Sequence, residues 1–153
     1  MKVLLVAPFP PPYGGIANWS QMISGHMEKS EHQLVTLNIA PKKRSTEGRG
    51  LFDRVVVSGL DMFKKKRDLK RLIKTQKPDV IHMTTSGSLA IIRDVLLLKT
   101  AKKLGVPTVY HIRFGKTAEM AQTGSSLWKR YVKAMCLASM VIAIDKTTYD
   151  AVK

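Results

Sequence analysis

Carboxylates are scarce in this chain, cysteine nearly absent, and no long apolar run occurs. Eleven Asp plus Glu stand against 26 Lys plus Arg, a net charge of +15. Such a field draws in an anionic partner without choosing among nucleic acid, an anionic membrane surface and a phosphorylated small molecule. The single cysteine, Cys136, excludes an intrachain disulfide and fits a reducing compartment or a redox-indifferent protein. Pro8 ends the apolar run Val3–Ala7 well short of the ~7–15 residues of a signal-peptide core. Arg93, Lys99 and Asp145 interrupt the other apolar segments, so none approaches the ~20 residues that span a bilayer. Glycine and proline are too few, at 10 and 7, for a disordered or collagen-like chain.

What remains is a globular composition, 44% apolar over 153 residues, sufficient for one domain with its own core. Short Val- and Ile-rich runs at Lys2–Ala7, Gln33–Ile39, Asp79–Met83, Thr108–Ile112 and Met140–Ile144 read as strands buried on both faces. Between them, apolar residues three and four apart predict helices near Ile16–Glu28, Leu60–Gln76, Ser88–Leu104 and Ser125–Leu137. Lys146–Lys153 opens a further helix, for which Asp145 is a good N-cap. The aperiodic basic stretch Pro41–Gly50 reads as a surface loop. Alternation of this kind predicts a Rossmann-like three-layer α/β/α domain with a parallel sheet, expected in the order 3-2-1-4-5.

In open parallel sheets ligands gather beyond the carboxyl ends of the strands. There the first strand runs into Pro8-Phe9-Pro10-Pro11-Pro12-Tyr13-Gly14-Gly15 and then a helix, whose free N–H groups suit a phosphate. Gly14 and Gly15 allow positive φ and close backbone approach, but the spacing is neither a dinucleotide fingerprint nor a P-loop. His111 closes the fourth strand; a neutral imidazole there can accept from a hydroxyl. Arg113 and Lys116 follow it as candidates for anion or acceptor contact. Thr84, Thr85, Ser86 and Gly87 form a polar turn after the third strand, suited to capping a helix or meeting acceptor hydroxyls, while His82 reads as structural.

Eight Lys or Arg lie between Lys64 and Lys77, on a helix whose Met62, Phe63, Leu69, Leu72 and Ile73 make one apolar stripe. Lys64, Lys65, Lys66, Arg67, Lys70 and Arg71 are the candidate membrane surface, at ~1 kcal/mol per basic residue near an anionic leaflet. A second basic surface, Ser125–Leu137, carries Trp128 and Tyr131.

Four blocks carry a family resemblance. The opening Lys2-Val3-Leu4-Leu5-Val6-Ala7-Pro8 with its Pro-rich loop and Gly14-Gly15, Pro78-Asp79-Val80-Ile81-His82, Val106-Pro107-Thr108-Val109-Tyr110-His111, and Met140-Val141-Ile142-Ala143-Ile144-Asp145 stand in register over nearly the whole chain. Together they resemble the amino-terminal domain of the family 4 (group 1) GT-B retaining glycosyltransferases, although Asp145 replaces the family's usual Ser. The resemblance implies one half of a GT-B fold. Residues 1–153 are then expected to be the acceptor-side domain, with the donor-binding domain outside this chain and the chain alone inactive. It implies a nucleotide-sugar donor with its phosphates near Gly14 and Gly15, His111 as the catalytic residue facing the transferred sugar, and acceptor contacts from Thr84, Thr85, Ser86, Arg113 and Lys116. The acceptor would be a glycan or a lipid-linked or other membrane-associated molecule; no metal or cofactor is expected, and nucleic acid is not a partner. The expected location is cytoplasmic, peripheral on the inner face of the membrane.

Two other readings start from the same residues. A basic nucleic-acid or membrane-binding module would need only the charge, but helix-turn-helix, zinc-ligand and aromatic RNA-stacking patterns are missing. A free-standing flavodoxin-like or receiver-like domain is the other; a receiver would need acids after the first strand, where prolines stand.

Overall fold

The computed structural model has a five-stranded sheet in which the first strand lies second from one edge. The structure describes residues 1–11, 13–40, 51–87 and 90–153, with the side chains of 51–58 excepted, so the expected loop 41–50 and the expected helix start at Ser88 lie outside the described residues. The elements run β1 (Lys2–Ala7), α1 (Gly15–Met27), β2 (Gln33–Asn38), α2 (Leu51–Gln76), β3 (Val80–Thr85) and α3 (Ala90–Lys103). They continue with β4 (Thr108–Ile112), α4 (Thr117–Gln122), α5 (Ser126–Leu137), β5 (Met140–Ala143) and α6 (Lys146–Val152). All four strand pairings are parallel, as the alternation of strands and helices requires.

The order is β2-β1-β3-β4-β5, which differs from the expected 3-2-1-4-5 in the place of β3. That strand lies against β1, where Val3 pairs with Val80, and not outside β2. Asp79 is the anchor: its N–H donates to the Lys2 carbonyl at 2.9 Å, and its carboxylate accepts from the Lys2 N–H at 2.6 Å. The crossover through α2 carries the chain past β1, two strand positions or ~10 Å. Winding therefore reverses between β1 and β3, and an open α/β sheet forms its ligand crevice at such a reversal.

Side-chain alternation divides the sheet into two unlike faces. Leu4, Val6, Ile81, Met83, Tyr110 and Ile112 pack with Leu69 and Ile73 of α2, Ile91, Leu97 and Leu98 of α3, and Tyr131 and Ala134 of α5 into one buried core. Phe63 leaves the apolar stripe expected of α2 and stands 59% exposed. Inside this layer Asp94 is fully buried. Arg93 donates to its carboxylate through Nη2 and Nε at 2.9 and 3.2 Å, and the Tyr110 hydroxyl donates to the other oxygen at 3.1 Å. Burial raises the Asp94 carboxyl above its ordinary range, and the Arg93 guanidinium opposes that shift. The opposite face carries α1.

Helix ends follow their chemistry. Gly105 at φ 72 closes α3 after Lys102 and Lys103, cations suited to the negative end of the helix dipole. Asp145 caps α6 by accepting the Thr148 N–H at 2.7 Å, a bond that lowers its pKa.

Candidate active site

The second face builds the site, because the same alternation that sends Met83 and Tyr110 into the core sends His82 and Thr84 of β3, and His111 of β4, the other way. Thr84 and His111 are cross-strand partners in the register. Above them lies α1, with Gly14 as its N-cap and no side chain capping its first turn. Trp19 sits one turn along from Gly15 on the same side of that helix. The Pro-rich loop leading into α1 is tied down by Asn38 at the end of β2, whose side chain accepts from the Phe9 N–H at 3.1 Å.

Trp19 meets three side chains of the candidate site. Its ring stands edge-on to His111 at 5.3 Å between centroids and 89° between planes, and tilted against His82 at 5.7 Å. The Arg113 guanidinium lies 4.6 Å from the centre of the same ring, a cation–π contact. His82 Nε2 and His111 Nδ1 are 3.2 Å apart and share a proton-mediated bond whose direction depends on the tautomers.

Arg113 is held there from beneath. Its N–H donates to the Thr85 carbonyl at 3.2 Å, the next residue Phe114 covers Gly87, and Thr117 donates to the Phe114 carbonyl at 2.6 Å. Gly87 takes φ 69, and a Cβ at that position would overlap the Phe114 ring, so glycine is required on both counts.

Electrostatics keep the pair of imidazoles neutral. Burial, then His82, then Arg113 push His111 down from 6.5 to about 4; burial and then Arg113 lower His82 as well. Desolvation also lowers Arg113 below its ordinary value. Two buried polar atoms have no partner among the described residues: the Thr84 hydroxyl and Arg113 Nε. Both belong to this cluster. Unpartnered buried groups are costly, and a bound oxygen would satisfy them.

The structure therefore brings together His111, Arg113 and Thr84 under α1, which meets them through Trp19, one turn along from Gly15. It does not bring in the others. Thr85 ends β3 on the core face, where its hydroxyl accepts from the Gly87 N–H at 3.1 Å; Ser86 and Lys116 are exposed at the rim. Thr84 and Thr85 belong to the strand and not to a turn, since β-branched residues continue a strand more readily than they leave it. Neither glycine uses the positive φ it allows: Gly14 is extended at φ 178 and Gly15 opens the helix. Open space within 4 Å of either Cβ position still leaves room for a ligand. Two residues of this cluster were not singled out as site candidates in the sequence: Trp19, and His82, which reads there as structural. Equal parity with Thr84 on one strand was the signal for His82; for Trp19 it was the one-turn spacing from Gly15.

On α2, Lys64, Arg67, Lys70, Arg71 and Lys74 are exposed, and Leu60 and Phe63 stand 66% and 59% exposed among them. Lys65 turns away to donate to the Asn38 carbonyl at 2.6 Å, and Lys66 is half-buried. Among the described residues no helix is long and apolar enough to cross a membrane, and no three His, Cys, Asp or Glu gather as a metal site.

A five-stranded parallel sheet with helices on both faces and a winding reversal defines a Rossmann-like α/β domain. The sequence profile of glycosyltransferase family 4 matches residues 13–153, and the chain belongs to that family. Among solved structures it is similar to S. aureus MnaA in its UDP co-structure, with a TM-score of 0.64 at 12% identity. That alignment covers 99% of this chain and 40% of the MnaA chain, a likeness of fold. No curated protein matches the sequence significantly.

Proposed function

We propose that this domain forms the acceptor side of a retaining glycosyltransferase that moves a sugar from a nucleotide-sugar to a glycan, lipid-linked or other membrane-associated acceptor. The observation that carries the proposal is the neutral His111, cross-strand neighbour of the unpartnered Thr84 hydroxyl and packed with Arg113 against Trp19 of α1, a helix whose start has no side-chain cap. Departure of a nucleotide leaves negative charge on its diphosphate. The N–H groups at Gly15 and beyond, with the Arg113 charge, are suited to that oxyanion, and His111 to a hydroxyl of the transferred sugar. Because this chain spans 40% of the MnaA chain, the nucleotide itself is assigned mainly to a second domain. The UDP held by MnaA makes a uridine nucleotide the first donor to try.

The test is His111→Ala in a protein carrying both halves, assayed for transfer of labelled sugar. The expected loss in kcat is about a hundred- to a thousandfold, with the unfolding temperature little changed. Near-normal turnover with a much lower unfolding temperature would make the histidine structural. The 1–153 chain alone is expected to transfer nothing and to bind nucleotide-sugar weakly; tight calorimetric binding would refute the division of labour.

The exposed stripe on α2 supports a second part of the reading, a peripheral site on an anionic cytoplasmic membrane leaflet. Cations and two exposed apolar residues on one helix face suit a lipid interface. Vesicles with anionic lipid are expected to recruit the chain at low salt and release it at high salt. Replacing Lys64, Arg67, Lys70 and Arg71 with Gln should abolish recruitment, and unchanged binding would discard this surface.

A further inference from the structure

The pairing of the two histidines determines more than their proximity. Among the described residues, the hydrogen bond between His82 Nε2 and His111 Nδ1, at 3.2 Å, is the one made by either ring. Neither imidazole is oriented by a backbone carbonyl or a carboxylate, the usual partners of a histidine whose tautomer is fixed. Each ring is therefore set by the other.

One proton lies in that bond, so only two arrangements are self-consistent for neutral rings. In the first, His82 Nε2–H donates to His111 Nδ1, and His111 carries its own proton on Nε2. In the second, His111 Nδ1–H donates, His82 is protonated on Nδ1, and His111 Nε2 is a bare acceptor. The first places both residues in the Nε2–H form that a histidine side chain favours in water. The second requires the disfavoured form at both. Trp19 stands edge-on to His111 and tilted to His82, which holds the two ring planes in the orientation the bond needs. Burial, with Arg113 at both rings and His82 at His111, favours the neutral, singly protonated form of each ring, so the two-form choice applies under ordinary conditions.

We propose that His82 is a positioning residue: its Nε2–H donates to Nδ1 of His111 and fixes His111 as a hydrogen-bond donor through Nε2. The ligand group that His111 selects is then an oxygen with a free lone pair, a phosphate oxygen or a hydroxyl that gives its own proton elsewhere. The Thr84 hydroxyl, buried next to His111 and without a partner among the described residues, can accept that proton. This refines the sequence-based expectation of His111 as an acceptor, and its functional consequence rests on the glycosyltransferase reading above.

The experiment is nitrogen-15 NMR of the histidine rings in the 1–153 chain near neutral pH, without ligand. The expected spectrum has His111 with an unprotonated Nδ1 and a protonated Nε2. In His82→Phe, which keeps a ring beside Trp19 and removes the donor, His111 should become a mixture of tautomers. His82→Gln, whose amide nitrogen can stand where Nε2 stood, should restore a single form. A protonated Nδ1 in the unaltered chain, or a His111 signal indifferent to His82→Phe, overturns the proposal. In transfer assays with both halves present, His82→Phe is expected to lower kcat about tenfold with KM little changed, as for other residues that orient a ligating histidine. The NMR result needs no substrate, so its failure leaves the transferase reading standing. The stated tautomers in a protein that transfers no sugar would refute that reading alone.

Discussion

Acid should weaken this fold through His111 in a way that one substitution can isolate. The ring titrates at about 4 in the folded chain and at 6.5 when free, so between those values the unfolded state holds more protons than the folded one. Stability then rises with pH across that window. His111 contributes no pH dependence above 6.5, an increasing penalty as pH falls, and a constant one below about 4. At ~1.4 kcal/mol per pH unit the full penalty is ~3.4 kcal/mol. The ring is half-buried, and solvent screening reduces a realistic value to ~1–2 kcal/mol. Urea unfolding of the parent chain and of His111→Gln at pH 7 and pH 4.5 gives the double difference. Asp94, raised by burial, adds a slope of opposite sign that both proteins share, while His82, lowered by burial and then Arg113, adds one of the same sign, so the double difference reports His111 together with its effect on its hydrogen-bonded neighbour. The parent should lose ~1–2 kcal/mol more than the variant on acidification. Parallel losses would mean that His111 is as free to protonate in the fold as in the unfolded chain, and the electrostatic account of the site would be wrong.

Three further substitutions probe the supports of the site. Gly87→Ala should cost ~2–4 kcal/mol in urea unfolding, from the left-handed backbone and from displacement of Phe114; a loss below the spread of repeated measurements would show that Phe114 does not pack as described. Tyr110→Phe should cost ~1–3 kcal/mol by leaving the buried Asp94 carboxylate a donor short, and an unchanged midpoint would remove Tyr110 from that network. Thr84→Val should be neutral or stabilising by up to ~1 kcal/mol, because its hydroxyl has no partner among the described residues; clear destabilisation would reveal a partner.

The strands were legible in the sequence because each holds a short apolar run, several of them set off by nearby Pro, Gly or Asp. Lys77-Pro78-Asp79 announces β3, and Gly105-Val106-Pro107 announces β4. Strand order was harder to read. Crossovers of similar length lead to either side of a sheet, and the Lys2–Asp79 contacts that place β3 join residues far apart in the chain. The six-residue α4 is too short to show a period. Thr84-Thr85-Ser86-Gly87 looks like turn chemistry, yet its first half is strand. His111 and Arg113 were visible from their position past an apolar run. His82 was not, since a histidine after Val80-Ile81 gives no indication alone of a neighbour on another strand.

Strand β3 has side chains of opposite duty on alternate residues: Ile81 and Met83 fill the core, while His82 and Thr84 serve the cleft. Inserting or deleting one residue within it would exchange the two sets, presenting methionine to a ligand and histidine to the hydrocarbon interior. Such a strand can change its identity by substitution but not its length by a single step. The spacing of the histidine pair across β3 and β4 is thereby tied to the packing of the core on the other face of the sheet.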